Sequence, residues 1–419
     1  MSRSQTVLPA EWAPQDAILL TWPHAESDWR PWLDQADSTF AALAAAISRY
    51  QTVIIACHDR NHSQHVLDLL VAAGAEGDRC RRYVAPSNDI WARDHGPITV
   101  YRAGRPVLLD FRFNGWGGKF ACDLDDRVTA RLHELGAFGA TPRESVGLIL
   151  EGGGIESDGQ GTLLATTECL FNPNRNGLEQ AVLEQHLRDV LGIDRFLWLR
   201  HGHLDGDDTD SHIDTLARFC DPRTIAYQGC ADPADPHFEP LQAMAEELRA
   251  FRAADGEPYR LIELPLHAAR HDETGRRLPA GYANFLILNG AVLVPTYDDP
   301  LDAVALERLG GCFPNRMVAG VCAAFFVGMV GNLIPDPAGV GGVDAGLIGT
   351  FVIFGFPADT VIAAVLVYRM IAFWLPLPPG IIAFLQLRKT VARWESEGRP
   401  MAVAAAAAPS ITSESEVRS

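Results

Sequence analysis

Over the first three quarters of the chain, short apolar, β-branched runs alternate with amphipathic stretches. Runs of the strand type are AILLTW (17–22), TVIIAC (52–57), PVLLDF (106–111), GTLLAT (161–166), RFLWL (195–199), YRLIELP (259–265) and NFLILNGAVLVP (284–295). Helical periodicity marks DQADSTFAALAAAISRY (34–50), HSQHVLDLLVAAG (62–74), LEQAVLEQHLRDVLG (178–192) and FEPLQAMAEELRAF (238–251). Asn-Gly at 289–290, set between two apolar runs, predicts a hairpin. The spacing suggests repeated β/α units, with no repeat visible in the sequence itself. This pattern predicts one α/β domain of about 300 residues.

Near residue 316 the pattern changes. Between Met317 and Leu387 the charged residues are Asp336, Asp344, Asp359 and Arg369, although the whole chain is 21% charged. Residues 317–334 form one candidate span, 345–356 a short one, and 360–387 a long run broken by PLPPG. Residues 317–390 therefore read as an apolar helical, membrane-like segment, with Arg388 and Lys389 on the cytoplasmic side. The alternative is a buried hairpin of a core. From 391 to 419, Ala, Ser and Glu without periodicity read as a disordered tail.

Composition narrows the partners. A net charge of −18 disfavours nucleic acid and suits a small cationic ligand. Eight cysteines without a CxxC pair read as reduced, mostly buried thiols of a cytoplasmic protein. The N-terminus, MSRSQTVLPAEWAPQ, carries no signal-peptide pattern, so membrane attachment is expected through 317–387 alone.

Three segments carry candidate chemistry. HGHLDGDDTDSHIDTLARF (201–219) packs Asp205, Asp207, Asp208, Asp210, His212 and Asp214 into ten positions ahead of an apolar run. On a strand, His212 and Asp214 would share a face. A carboxylate can hold a guanidinium while the imidazole moves protons. An acidic surface turn, or a hard-cation site of a metal-dependent hydrolase built on Asp207, Asp208, Asp210, His212 and Asp214, are the competing readings. In NDIWARDHGPITV (88–100), Asp94 lies between Arg93 and His95 before a Gly-Pro turn. It serves either as a site carboxylate on a loop or as a partner of Arg93. In LILEGGGIESDGQGTLLAT (148–166), Glu151 precedes three glycines, which permit close approach of a ligand or a plain hairpin. FNPNRNG (171–177) and NGWGGKF (114–120) add Asn172, Arg175, Trp116 and Lys119 on turns.

Together with PAEWAPQDAILLTWP and NFLILNGAVLVPTYDDP, these segments resemble, in order and spacing, the agmatine deiminases of the guanidino-group-modifying superfamily. The resemblance spans residues 1–316 and implies a five-bladed α/β propeller, the pentein fold. It also implies hydrolysis of agmatine to N-carbamoylputrescine and ammonia, on the route to putrescine, without metal or cofactor. In that family a Cys thiolate attacks the guanidinium carbon and ammonia leaves. Water then hydrolyses the amidino-enzyme to the ureido product. The resemblance assigns catalytic acid/base roles to His212 and Glu151, and substrate binding to Asp94, Asp214, Trp91 and Asp208.

The family's nucleophile belongs to a late G-x-x-H-C stretch followed by Thr and Gln, and this sequence has none. Neither Cys312, in LGGCFPNR, nor Cys322 matches it, and both read as structural thiols. Beyond 316 the text, through NLIPDPAGVGGVDAGLIG and VLVYRMIAFWLPLPPG, is similar to the C-terminal part of lysylphosphatidylglycerol-synthase-like and flippase-like membrane proteins. The expectation is a propeller with an incomplete last blade, followed by a membrane-like segment. Its function is that of a crippled agmatine deiminase or a membrane-tethered, non-catalytic guanidinium binder. The oligomeric state is left open.

Overall fold

The computed structural model describes residues 6–272 and 275–322. After the short strand β1 (Thr6–Val7) comes a sheet of three parallel strands, β2 (Ala17–Thr21), β3 (Thr52–Cys57) and β4 (Cys80–Val84). Helices α1 (Leu33–Ser48) and α2 (Arg60–Ala72) make its crossovers. Asp59 caps α2 by accepting the amide of His62 at 2.8 Å.

Four units with one common plan follow: an antiparallel pair, a helix, then a third strand parallel to the second. The first has β5 (Ile98–Arg102), β6 (Arg105–Arg112), α3 (Asp125–Glu134) and β7 (Arg143–Ile149), with β1 added antiparallel to β5. The second has β8 (Glu156–Ser157), β9 (Thr162–Thr166), α4 (Gln180–Leu191) and β10 (Arg195–Leu199). The third has β11 (Ala217–Asp221), β12 (Thr224–Gln228), α5 (Phe238–Ala250) and β13 (Arg260–Leu264). The fourth has β14 (Leu286–Ile287), β15 (Ala291–Thr296), α6 (Asp302–Cys312) and β16 (Met317–Cys322). Five sheets result, and the Asn289–Gly290 turn joins β14 to β15 as its dipeptide predicts.

Apolar clusters link each sheet to the next. Ile54 and Ala56 of the first pack with Val128 and Leu132 of the second. Leu109 and Phe111 pack with Leu163 and Leu187, Leu199 with Phe219 and Ile225, and Ala226 and Leu264 with Ile287 and Val292. Trp22, Phe40 and Ile55 of the first sheet pack in turn with Leu288 and Leu293 of the fifth.

The last sheet corrects the expectation of an incomplete unit. Met317–Val321 reads as the start of an apolar span because its strand is covered on two sides. Val318 packs with the cluster under β15, while Ala319 and Val321 pack with that under α1. A strand with apolar contacts on both faces loses the polar alternation that would have identified it, although Met317 and Gly320 stay exposed. Among the described residues no helix is long and apolar enough to cross a membrane. The rest of the membrane-like segment, 323–390, and the tail from 391 lie outside the described residues.

A buried ionic network ties these sheets together. Arg218 on β11 pairs with Glu156 of β8 and with Glu11, and donates Nη1–H to the Phe285 carbonyl at 2.7 Å. Its guanidinium lies 4.7 Å from the Phe285 ring centroid. Arg93 pairs with Glu11 and approaches Glu156 at 3.7 Å. Removing one partner strands the other charges in a low-dielectric interior. Arg218→Met should therefore cost about 3–5 kcal/mol, read as a lowered urea midpoint with an unchanged slope. A loss below about 1 kcal/mol would show that the network is dispensable.

Candidate active site

Three loops build the site, and each follows the third strand of a sheet. Asp94 follows β4, Glu151 follows β7, and His212 and Asp214 follow β10. The loop after β13 carries none of these four residues, and the one after β16 begins at residue 323, outside the described residues. All four side chains are buried, none more than 6% exposed. Burial to that degree for three carboxylates and an imidazole requires partners or a ligand.

Gly153 is where they meet. A Cβ built there would lie 2.6 Å from Asp94 Oδ1, 2.6 Å from His212 Nδ1 and 2.9 Å from Asp214 Oδ2. At Gly152 it would lie 2.2 Å from the Arg93 carbonyl oxygen. No side chain fits either space, so the Gly152–Gly154 turn passes between the loops as bare backbone. Its Gly153 amide donates to Asp94 Oδ1 at 3.0 Å, and Trp116 Nε1–H donates to Asp94 Oδ2 at 2.9 Å. Asp94 is thus oriented by two donors, and it does not serve Arg93, whose guanidinium reaches Asp214 at 3.5 Å instead.

His212 lies between the carboxylates. Its Nδ1 is 3.5 Å from Asp94 Oδ1, and its Nε2 is 3.9 Å from Glu151 Oε2. Burial alone would lower the imidazole's proton affinity, but Asp94, the Cys169 sulfur and Glu151 outweigh it. The ring is held well above the ordinary histidine range, as imidazolium. Glu151 is also pushed up by burial, yet its neighbours His212 and Arg175 hold it below the usual carboxylate range. Asp94 is raised: burial dominates, opposed by His212 and reinforced by Asp214 and Glu151. A cation beside Asp94 and Asp214 would relieve that repulsion.

The turns flagged in the sequence hold this arrangement. Arg175 Nε–H donates to Glu151 Oε1 at 3.0 Å, and its Nη1 pairs with Asp210. Lys119 Nζ and Asn174 Nδ2 also donate to Asp210, at 2.7 and 3.2 Å. Asp210 and Ser211 have φ of 63° and 64°, a left-handed turn secured by Asp207, which accepts the Ser211 amide at 2.7 Å. Asp208 faces elsewhere, paired with Arg276 at 2.8 Å. The acidic run therefore does not converge as a hard-cation site, because its carboxylates serve separate partners. Trp91 is 46% exposed, with its ring 6.4 Å from that of Trp29.

His212 and Asp214 do not share a strand. His212 precedes the 3-10 turn Ile213–Thr215 and Asp214 lies within it, while fully buried Ile213 between them points into the core and leaves both polar neighbours at the site. The sequence marks Arg93 only as a neighbour of Asp94 and Gly153 only as one of three glycines, and it does not single out Cys169. Cys169 shows no motif signal, but its Sγ lies with Glu151 and His212 donor atoms inside 4.8 Å. Cys312 sits in a separate core cluster, its Sγ 3.4 Å from the Arg308 carbonyl oxygen.

Known proteins share this layout. The Porphyromonas-type peptidyl-arginine deiminase family model matches residues 7–333. The agmatine deiminase of Stutzerimonas stutzeri is 34% identical over 338 residues, 75% of this chain and 89% of that protein. Among solved structures, C. jejuni agmatine deiminase with substrate bound, a cysteine-to-serine variant, is 36% identical with a TM-score of 0.71, covering 78% of this chain and 93% of that one. The Enterococcus faecalis agmatine deiminase is 28% identical with a TM-score of 0.68, covering 77% and 92%. With the match running from before β2 to beyond β16 and enclosing every loop of the site, this chain belongs to the Porphyromonas-type peptidyl-arginine deiminase family.

Proposed function

We propose that this chain recognises a guanidino-alkylamine of the agmatine class, and that it holds the binding and proton-transfer groups of an agmatine deiminase, a hydrolase of linear amidines. The carrying observation is the convergence of Asp94, Glu151, His212 and Asp214 around Gly153. Asp94 and Asp214 offset the guanidinium charge. The His212 imidazolium donates the proton to departing ammonia, and Glu151 accepts one from the attacking group. Trp91, three residues before Asp94, is assigned to the alkylamine end, where a half-exposed ring can face a cation. Asp208 would join only by releasing Arg276.

The attacking thiolate is the missing part. Cys169 lies with Glu151 and beside the Gly154 backbone, whereas the clamp gathers at Gly153 around His212 Nδ1. No cysteine follows Cys322 in the sequence. Water, helped only by Glu151 as base, would then have to attack a resonance-stabilised cation, and losing a nucleophile costs about a millionfold in turnover. This observation favours the second reading, a guanidinium binder that does not turn over.

Two further proposals concern the ring and the C-terminal segment. The five sheets close into a five-bladed ring, supported by the apolar cluster shared by the first and fifth. The segment after Cys322, with its sparse charge, attaches the chain to membrane.

Agmatine should bind with release of ammonia far below a normal enzyme rate, and Asp94→Asn or Asp214→Asn should weaken binding by about 2–5 kcal/mol. Gly153→Ala should do the same by pushing the clamp apart, while Cys312→Ser leaves binding unchanged. Calorimetry and an ammonia assay check these, and normal turnover that Cys312→Ser or Cys322→Ser abolishes would identify a nucleophile and overturn the account. Full-length protein should sediment with membranes in ultracentrifugation without detergent. Recovery in the supernatant would remove the attachment.

A further inference from the structure

Behind the clamp lies a second set of groups that the deiminase reading does not use as a set. A carboxylate oxygen of Glu151, Cys169 Sγ and a ring nitrogen of His212 lie within 4.8 Å of one another, and all three residues are buried. Among the described residues, Glu151 Oε2 and His212 Nε2 have no hydrogen-bond partner. The 3.9 Å between them is too long for a hydrogen bond. Their opposite charges attract across that gap, but the hydrogen-bonding capacity of both buried atoms is met only if something sits between them.

We infer that these three atoms form a binding site for a soft divalent cation of the zinc type. A thiolate, an imidazole nitrogen and a carboxylate oxygen are the donors such a cation takes, with a fourth position left to water. The outer contacts fit as well. His212 turns its other nitrogen, Nδ1, toward Asp94 Oδ1 at 3.5 Å, the carboxylate–histidine arrangement that orients a ligating ring. Glu151 has its other oxygen fixed by Arg175 Nε at 3.0 Å, so that Oε2 is free to face inward. Gly154 keeps the space open. A Cβ there would lie 3.3 Å from Cys169 Sγ and 3.9 Å from His212 Cδ2. The oxygen-rich run from Asp207 to Asp214 offers no equivalent, because its carboxylates are held apart by Arg175, Lys119 and Arg276.

Binding would expel the Cys169 thiol proton and take the lone pair of His212 that carries the transferable proton. The cation would thereby silence proton transfer at the clamp; this consequence, unlike the binding itself, rests on the proposed function.

Cobalt(II) is the probe, titrated into full-length protein at neutral pH. The expected result is one equivalent bound, with a thiolate-to-cobalt charge-transfer band in the near ultraviolet. Cys169→Ser, which keeps the side chain's shape, should abolish the band. It should also weaken binding by more than the roughly 10–100-fold typical of losing an outer-layer partner. Cys122→Ser should leave both unchanged. Absence of the band in the parent protein, or its survival in Cys169→Ser and Cys169→Ala, would overturn the site. Since the cation reports its own binding, a failure of agmatine to bind would not alter either outcome.

Discussion

A guanidinium buried among carboxylates, that of Arg218, and a second at its more open edge, that of Arg93, tie the sheets of this fold together. Arg218 reaches Glu156, Glu11 and the Phe285 carbonyl, and Arg93 reaches Glu11, Glu156 and Asp214. These partners come from the N-terminal segment and from the loops and strands of successive sheets, so the network fixes how the sheets' inner ends face one another. Buried ion pairs seldom add net stability over apolar packing, because desolvation offsets attraction. What they do supply is geometry. A slip of any one sheet would leave a charge unpaired in a medium that cannot tolerate it. Because Asp214 belongs both to this network and to the clamp, the site inherits the precision of the scaffold.

The site then works by unequal placement of charge. Three buried carboxylates surround one imidazolium, and the strain falls on Asp94, which burial and two like-charged neighbours raise out of the usual range. A guanidinium between Asp94 and Asp214 would restore the balance, and it is on this charge placement that the proposed binding role rests. The same reasoning separates the clamp from the acidic run of 205–210, whose charges already have partners.

Much of this was legible from residue order, and what was not had a physical cause. β2, β3, β6, β9, β10, β13 and the β14–β15 hairpin coincide with apolar runs, because each buries one face or both against a neighbouring sheet. Asp94, Glu151, His212 and Asp214 were named in advance from the density of chemistry in their segments, and the structure brings them together. β16 resembles the apolar text that follows it because its partly buried Val318, Ala319 and Val321 make apolar contacts on both faces, which erases the alternation of a strand. His212 and Asp214 were expected on a strand because their spacing of two fits one, yet the intervening Ile213 is buried in a 3-10 turn. Cys169 and Arg93 carried no local signal, since their importance lies in contacts across the fold that no short window records. Gly153 was visible as one of three glycines, but what needed the space beside it was not.

The most direct test of a clamp without a nucleophile is a crystal structure of this protein soaked in agmatine. An intact guanidinium bound between Asp94 and Asp214, beside His212 Nδ1, is the predicted result. A ureido product, a covalent adduct on any cysteine, or agmatine bound away from Gly153 would contradict it.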